Sequence, residues 1–139
     1  MLPFLIRKQK KRIQSTMAKI LIVDDSPTER KTMEDILVKE GHDIIKATNG
    51  DEGVAVAKDK LPDIILMDVV MPGTNGFQAT RQLTKNESTS HIPVVIVTTK
   101  DQETDRLWGK RQGASNYLTK PIDKKQLVKI VNDALLQSA

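Results

Sequence analysis

Cysteine is absent from the chain, which excludes disulfide scaffolds, thiol chemistry and Cys-ligated zinc, and is compatible with a reducing compartment. Large polar-tipped aromatics are nearly absent too, limited to Trp108 and Tyr117. No apolar run is long enough to be a leader or a span. The run from Leu2 to Ile6 is far shorter than a signal-peptide core or a membrane helix, and it precedes the neighbouring basic cluster instead of following it. Export and stable membrane insertion are therefore not expected, and the cytoplasm is the expected location. At 139 residues there is room for one domain with a continuous core and none for a second.

The net charge of +4 invites a nucleic-acid reading that its distribution removes. Residues 1–16 contain Arg7, Lys8, Lys10, Lys11 and Arg12 and no acid. Taking those five from the 22 basic residues leaves 17 against 18 acids, so residues 17–139 are close to neutral and offer no basic reading face. Two readings of residues 1–16 stand side by side. One is a weak tether to an anionic surface, since each base near an acidic membrane contributes about 1 kcal/mol. The other, preferred here, is a disordered and dispensable extension, with Met17 as the natural start just before the first strand pattern.

From Lys19 onward, short apolar runs alternate with helical patterns, the signature of strand–helix units around a parallel sheet. Ile20–Val23, Ile64–Met67 and Val94–Val97 lack polar alternation, as strands buried on both faces do. Asp43–Ala47 and Asn116–Leu118 are shorter or more polar and fit the sheet edges. Ser26-Pro27-Thr28-Glu29 predicts a capping box with proline at the first helical position, and Met33, Ile36 and Leu37 form that helix's buried stripe up to Gly41. A second helix is expected after Asn49 with Val54, Ala57 and Leu61 inward, and a third near Asn75. The fourth, around 101–111, has only Leu107 and Trp108 as strongly apolar residues and is expected to dock loosely. The last carries Leu127, Ile130, Val131, Ala134 and Leu135 at helical spacing.

In an open parallel sheet, ligands bind beyond the carboxyl ends of the strands. The first run ends in Asp24-Asp25, the third in Asp68, the fourth in Thr98-Thr99 and the fifth in Lys120-Pro121. Any one of these alone reads as a cap or a solvated turn. Together they bring three carboxylates, a hydroxyl and an ammonium to one rim. Carboxylates at 4 Å repel by about 4 kcal/mol per pair at an effective dielectric near 20. A bound cation relieves that repulsion, and oxygen-only ligands with neither His nor Cys favour a hard ion, with Mg²⁺ suited to a site of few protein oxygens. An ionised aspartate beside such an ion can attack phosphorus, with Lys120 neutralising the phosphoryl oxygens and Thr98 donating its hydroxyl to one of them.

These residues resemble the receiver domains of bacterial two-component response regulators. The resemblance covers about 19–135 and rests on Val23-Asp24-Asp25-Ser26, Met67-Asp68-Val69-Val70-Met71-Pro72-Gly73, Gly76, Thr98, Gly113-Ala114, Tyr117 and Lys120-Pro121. It implies an α/β flavodoxin-like three-layer sandwich with five helices and a five-stranded parallel sheet of order 2-1-3-4-5. By the same resemblance, Asp68 accepts a phosphoryl group from a histidine kinase. Asp25, Asp68 and the Val70 backbone carbonyl ligate Mg²⁺, Asp24 acts through metal-bound water, and Lys120–Pro121 is cis. Tyr117 is implied to reorient with phosphorylation as the partner of Thr98, whereas Trp108 is expected simply to pack partly under the fourth helix. His42 and His91 sit in no phosphotransfer pattern and are expected to be surface histidines, so the donor histidine belongs to another protein.

More narrowly, 76–83 and 98–105 resemble regulators of the type IV pilus chemosensory system, which implies control of twitching motility. Thr99 departs from the alanine of many receivers, and Val70 and Lys100 occupy rim positions that vary with phosphate lifetime. A haloacid-dehalogenase-like phosphohydrolase also uses an aspartate nucleophile with Mg²⁺, but needs an Asp-x-Asp arrangement where this chain has adjacent Asp24-Asp25. A flavodoxin-like nucleotide binder would place a glycine- or hydroxyl-rich loop there, and Asp24-Asp25 would repel its phosphate. With the last helical pattern ending near Ala139, no DNA reader is expected, and output is expected to be indirect. It would run through a motility effector on the face of the fourth helix, fifth strand and fifth helix, or through draining phosphate from a shared kinase.

Overall fold

The computed structural model describes residues 17–138; the expected extension at 1–16 lies outside them. Five strands, β1 (Lys19–Val23), β2 (Asp43–Ala47), β3 (Ile64–Met67), β4 (Val94–Thr98) and β5 (Asn116–Thr119), alternate with five helices, α1 (Pro27–Lys39), α2 (Gly50–Lys60), α3 (Gly76–Lys85), α4 (Glu103–Arg111) and α5 (Lys124–Ser138). All pairings are parallel and the sheet order is β2-β1-β3-β4-β5. The polar strands β2 and β5 are the edges, as their composition predicts.

Strand side chains alternate between faces, so each apolar run feeds two cores at once. Ile20, Ile22, Ile64, Leu66, Val95, Val97 and Leu118 pack with Met33 and Leu37 of α1 and with Leu127, Val131, Ala134 and Leu135 of α5. Leu21, Val23, Ile65, Met67 and Val94 point the other way, onto Val54 and Ala57 of α2 and Ala79 and Leu83 of α3. Each fully buried aliphatic side chain contributes about 1.5–3 kcal/mol, so the two layers hold the rim residues on a rigid base. Under α4 the packing is thinner, with Val69, Phe77 and Ile96 backed by Ala114 and Tyr117. Gly109 is the one buried residue of α4, in keeping with a loosely docked helix.

Local chemistry departs from expectation at four places. Ser26 Oγ accepts from Glu29 N at 3.2 Å, but the reciprocal half of the box is replaced: Ser26 N donates to Asp24 Oδ1 at 2.9 Å. The Glu29 carboxylate instead faces Lys120 at 3.9 Å. Leu61 does not point inward; it is half-exposed and ends α2 in the left-handed region at φ 47°. His42 is buried, because its Nδ1 accepts from Ala18 N at 3.3 Å and ties the start of β1 to the turn before β2. Trp108 is not packed beneath α4; it stands 49% exposed on that helix, next to half-exposed Leu107. The third helix starts as read, with Asn75 and Gln78 exchanging side-chain and backbone hydrogen bonds at 2.9 and 3.0 Å.

Candidate functional site

The rim at the carboxyl ends of β1, β3, β4 and β5 gathers the residues that the sequence singles out. Parallel pairing of Val23 with Met67 puts Asp24 and Asp68 at adjacent strand ends, and Asp68 N donates to Val23 O at 2.9 Å to close that pair. One carboxylate oxygen from each of Asp24, Asp25 and Asp68 falls within 4.8 Å of the others. Asp24 and Asp68 are buried and Asp25 is exposed. Lys120 reaches this cluster with its side chain only 7% exposed, its Nζ 2.7 Å from Asp24 Oδ2 and 3.8 Å from Asp68 Oδ1. Its backbone is placed by Lys120 N donating to Thr98 O at 2.8 Å, and the Lys120–Pro121 bond is cis.

The three carboxylates are not equivalent. Both oxygens of Asp24 are engaged, Oδ1 by Ser26 N and Oδ2 by Lys120. Its backbone carbonyl accepts from Arg30 Nη1 at 2.6 Å. Asp68 Oδ1 accepts from Val69 N at 2.8 Å and faces Lys120. Its other oxygen makes no hydrogen bond among the described residues, and since no fully buried side-chain oxygen there is left without a partner, Oδ2 keeps a small exposure. Asp25 makes no ion pair or hydrogen bond among the described residues. Burial pushes the Asp68 carboxyl up to about 6; Lys120 opposes the shift, Asp24 adds to it, and the Val69 N–H opposes while Asp25 adds again. At Lys120, burial works against the charge, but the hydrogen bond to Asp24 and the negative charges of Asp68, Asp24 and Glu29 outweigh it and raise the pKa. One ammonium against three carboxylates leaves negative charge uncompensated, and an all-oxygen donor set fits a hard divalent cation.

Gly76 explains how α3 comes so near. Its N–H donates to Val69 O at 3.0 Å, and a Cβ at this position would overlap the Asp68 carbonyl. Val70 lies two residues past Asp68 and is 60% exposed on the same rim. Thr98 is fully buried at the end of β4, where its Oγ1 accepts from Lys100 N at 3.4 Å. Tyr117 is partly buried, and its hydroxyl donates to Lys100 O at 2.6 Å. Burial pushes that phenol up to about 12, with Asp105 adding to the shift. All seven residues thus share the rim or the path leading from it along β4 and β5. Sequence reasoning missed Arg30 and Glu29, which turn toward the cluster from α1. Their one visible signal is helical spacing from the Asp24-Asp25 pair.

The comparisons with known proteins agree with this geometry. The family model described as "Response regulator receiver domain" matches residues 20–132. Protein PilH of Pseudomonas aeruginosa is 64% identical over 86% of this chain and 98% of PilH. Protein PilG of the same organism is 36% identical over 83% of this chain and 85% of PilG. Among solved structures, Vibrio cholerae chemotaxis protein CheY4 superposes with a TM-score of 0.81 at 31% identity, over 86% of this chain and 99% of CheY4. Nothing in them favours a phosphohydrolase. With the acidic rim, the β2-β1-β3-β4-β5 sheet and a family match over most of its length, the chain belongs to the response regulator receiver domain family.

Proposed function

We propose that this chain is a cytoplasmic stand-alone response regulator, phosphorylated on Asp68 by the histidine kinase of a chemosensory system, and that it controls twitching motility driven by type IV pili. The observation that carries the phosphoacceptor assignment is the asymmetry of Asp68. One carboxylate oxygen is pinned by Val69 N–H and faces Lys120, while the other makes no hydrogen bond among the described residues and is not fully buried. Asp68 Oδ2 attacks the phosphorus of a phosphohistidine, the P–N bond breaks, and the imidazole leaves. Lys120 balances negative charge on the phosphoryl oxygens, and Thr98 donates its hydroxyl to one of them.

Mg²⁺ is the proposed cofactor. Asp25, Asp68 and the Val70 carbonyl would hold it, with Asp24 acting through water; the engagement of both Asp24 oxygens and the lone Asp25 carboxylate support that division. When bound, the ion supplies positive charge that relieves carboxylate repulsion and favours the transferring phosphoryl group. Output runs through the face of α4, β5 and α5 to a motility effector, or through draining phosphate from a shared kinase, with no nucleic-acid contact and with 1–16 a dispensable extension. The pilus assignment is supported by the PilH and PilG likenesses.

The test is incubation with acetyl phosphate and Mg²⁺, followed by intact-protein mass. A single phosphoryl group should be gained by the parent and not by Asp68→Asn. Acid-stable labelling that survives the substitution would sink the assignment. A clean deletion of the gene that leaves twitching unchanged would remove the motility reading alone.

A further inference from the structure

We infer that Arg106 is a positioning residue: it clamps Tyr117 in its inward pose and so sets how strongly an event at Thr98 is felt on the outer face of α4. The coupling half of this rests on the proposed phosphoacceptor reading; the clamp itself does not.

The contacts form a closed circuit. Thr98 Oγ1 accepts from Lys100 N at 3.4 Å, and Lys100 O accepts from the Tyr117 hydroxyl at 2.6 Å. The Arg106 guanidinium stands 5.0 Å from the Tyr117 ring centroid and donates through Nη2 to Thr119 Oγ1 at 2.6 Å. Thr119 is paired in register with Thr98, the residue where the circuit began. Arg106 and Gly109 lie on the same face of α4, three residues apart. A Cβ at Gly109 would come within 3.2 Å of the Tyr117 ring and 2.9 Å of Ile96 Cδ1, so α4 grips the ring at two successive turns.

Arg106 is not diverted to an acid. Among the described residues it makes no ion pair, and the neighbouring Asp105 faces Lys100 instead, at 3.8 Å. A planar guanidinium can cover a ring and donate sideways at once; a lysine ammonium, a compact point charge, cannot do both. Arg106 itself is exposed, with Tyr117 and Thr119 only partly buried, so each contact is weak singly. They can bias a two-state element without being needed to build the fold.

The chain has a single tyrosine and a single tryptophan, so each is a clean reporter. With fluorotyrosine incorporated in the full chain, the solvent-isotope shift of the lone fluorine NMR resonance reads exposure of Tyr117. The parent should show a small shift; Arg106→Ala and Thr119→Val should both enlarge it, with melting temperature and far-UV circular dichroism near the parent's. Beryllium fluoride with Mg²⁺, a phosphoryl mimic, is then titrated against Trp108 emission, and its apparent affinity should fall about fivefold in both variants. A Tyr117 resonance unchanged in Arg106→Ala would overturn the clamp. A displaced ring with unchanged mimic affinity would overturn the coupling. Failure of the parent itself to bind the mimic would sink the phosphoacceptor reading, while the resonance would still decide the role of Arg106.

Discussion

Asp68 is held in a state that is unfavourable for its own charge, and two measurements follow from that. Because its folded pKa, about 6, lies above the ordinary 3.8, the fold favours the protonated form. The associated stability is present below pH 4 and is lost as pH rises through 6. For the metal-free protein, Asp68→Asn should therefore raise stability by about 1–3 kcal/mol at pH 8 and have little effect near pH 4, as read by calorimetry in chelator. An equal gain at both pH values would refute a charge-based origin. The neighbouring acids should separate in the opposite sense. Asp25→Asn removes an exposed carboxylate that makes no hydrogen bond or ion pair among the described residues and should weaken Mg²⁺ binding at least tenfold by calorimetric titration, with metal-free melting unchanged or slightly raised as repulsion within the cluster falls. Asp24→Asn leaves a single accepting oxygen for Ser26 N and Lys120 and should destabilise the protein by about 3 kcal/mol, since it strips a buried ammonium of the negative charge nearest to it.

At the scale of elements, the site depends on how closely α3 approaches the end of β3. Gly76 begins that helix where a Cβ would overlap the Asp68 carbonyl, so Gly76→Ala should push helix and strand apart. A loss of about 1–3 kcal/mol in urea unfolding is expected, together with slower acetyl-phosphate labelling of Asp68. Normal labelling with lowered stability would show that the displacement stops short of the carboxylate. The opposite design holds at α4. One buried glycine and a few contacts to β5 retain it, whereas α1 buries Met33 and Leu37 and α5 buries Leu127, Val131 and Leu135. Amide exchange should accordingly be fastest in α4 among the five helices. Protection there equal to that of α5 would contradict a movable helix.

Among the described residues, both cores are built from Ala18 onward. Removing residues 1–16 is expected to leave the melting temperature within about 2 °C, a shift worth less than about 0.5 kcal/mol for a domain of this size, and to leave labelling unaltered. A larger fall would show that the segment docks. No described helix is long and apolar enough to cross a membrane. Five basic residues without an acid in 1–16 are a sequence feature suited to an anionic surface.

Fold class was legible in the sequence because its signal is local. Unbroken runs such as Ile64–Met67 have no polar residue to offer solvent, so they must lie between two layers, and the polar β2 and β5 must lie at the edges. The site was legible for the same reason: chemistry-bearing residues directly follow those runs, and a parallel sheet carries all such ends to one rim. What the sequence did not disclose depends on which side chain reaches which neighbour. His42 looks like any surface histidine until the start of β1 is seen to lend it the Ala18 N–H. Leu61 continues an apolar stripe until the chain turns left-handed beneath it. Trp108 carries the apolarity of a core residue yet faces outward, because the side of α4 that meets the sheet is filled by Gly109 against Tyr117. The split between the bound Asp24, the lone Asp25 and the half-open Asp68 is likewise a tertiary matter: it depends on where Lys120, 96 residues away from Asp24 in sequence, places its ammonium, a distance that no local pattern encodes.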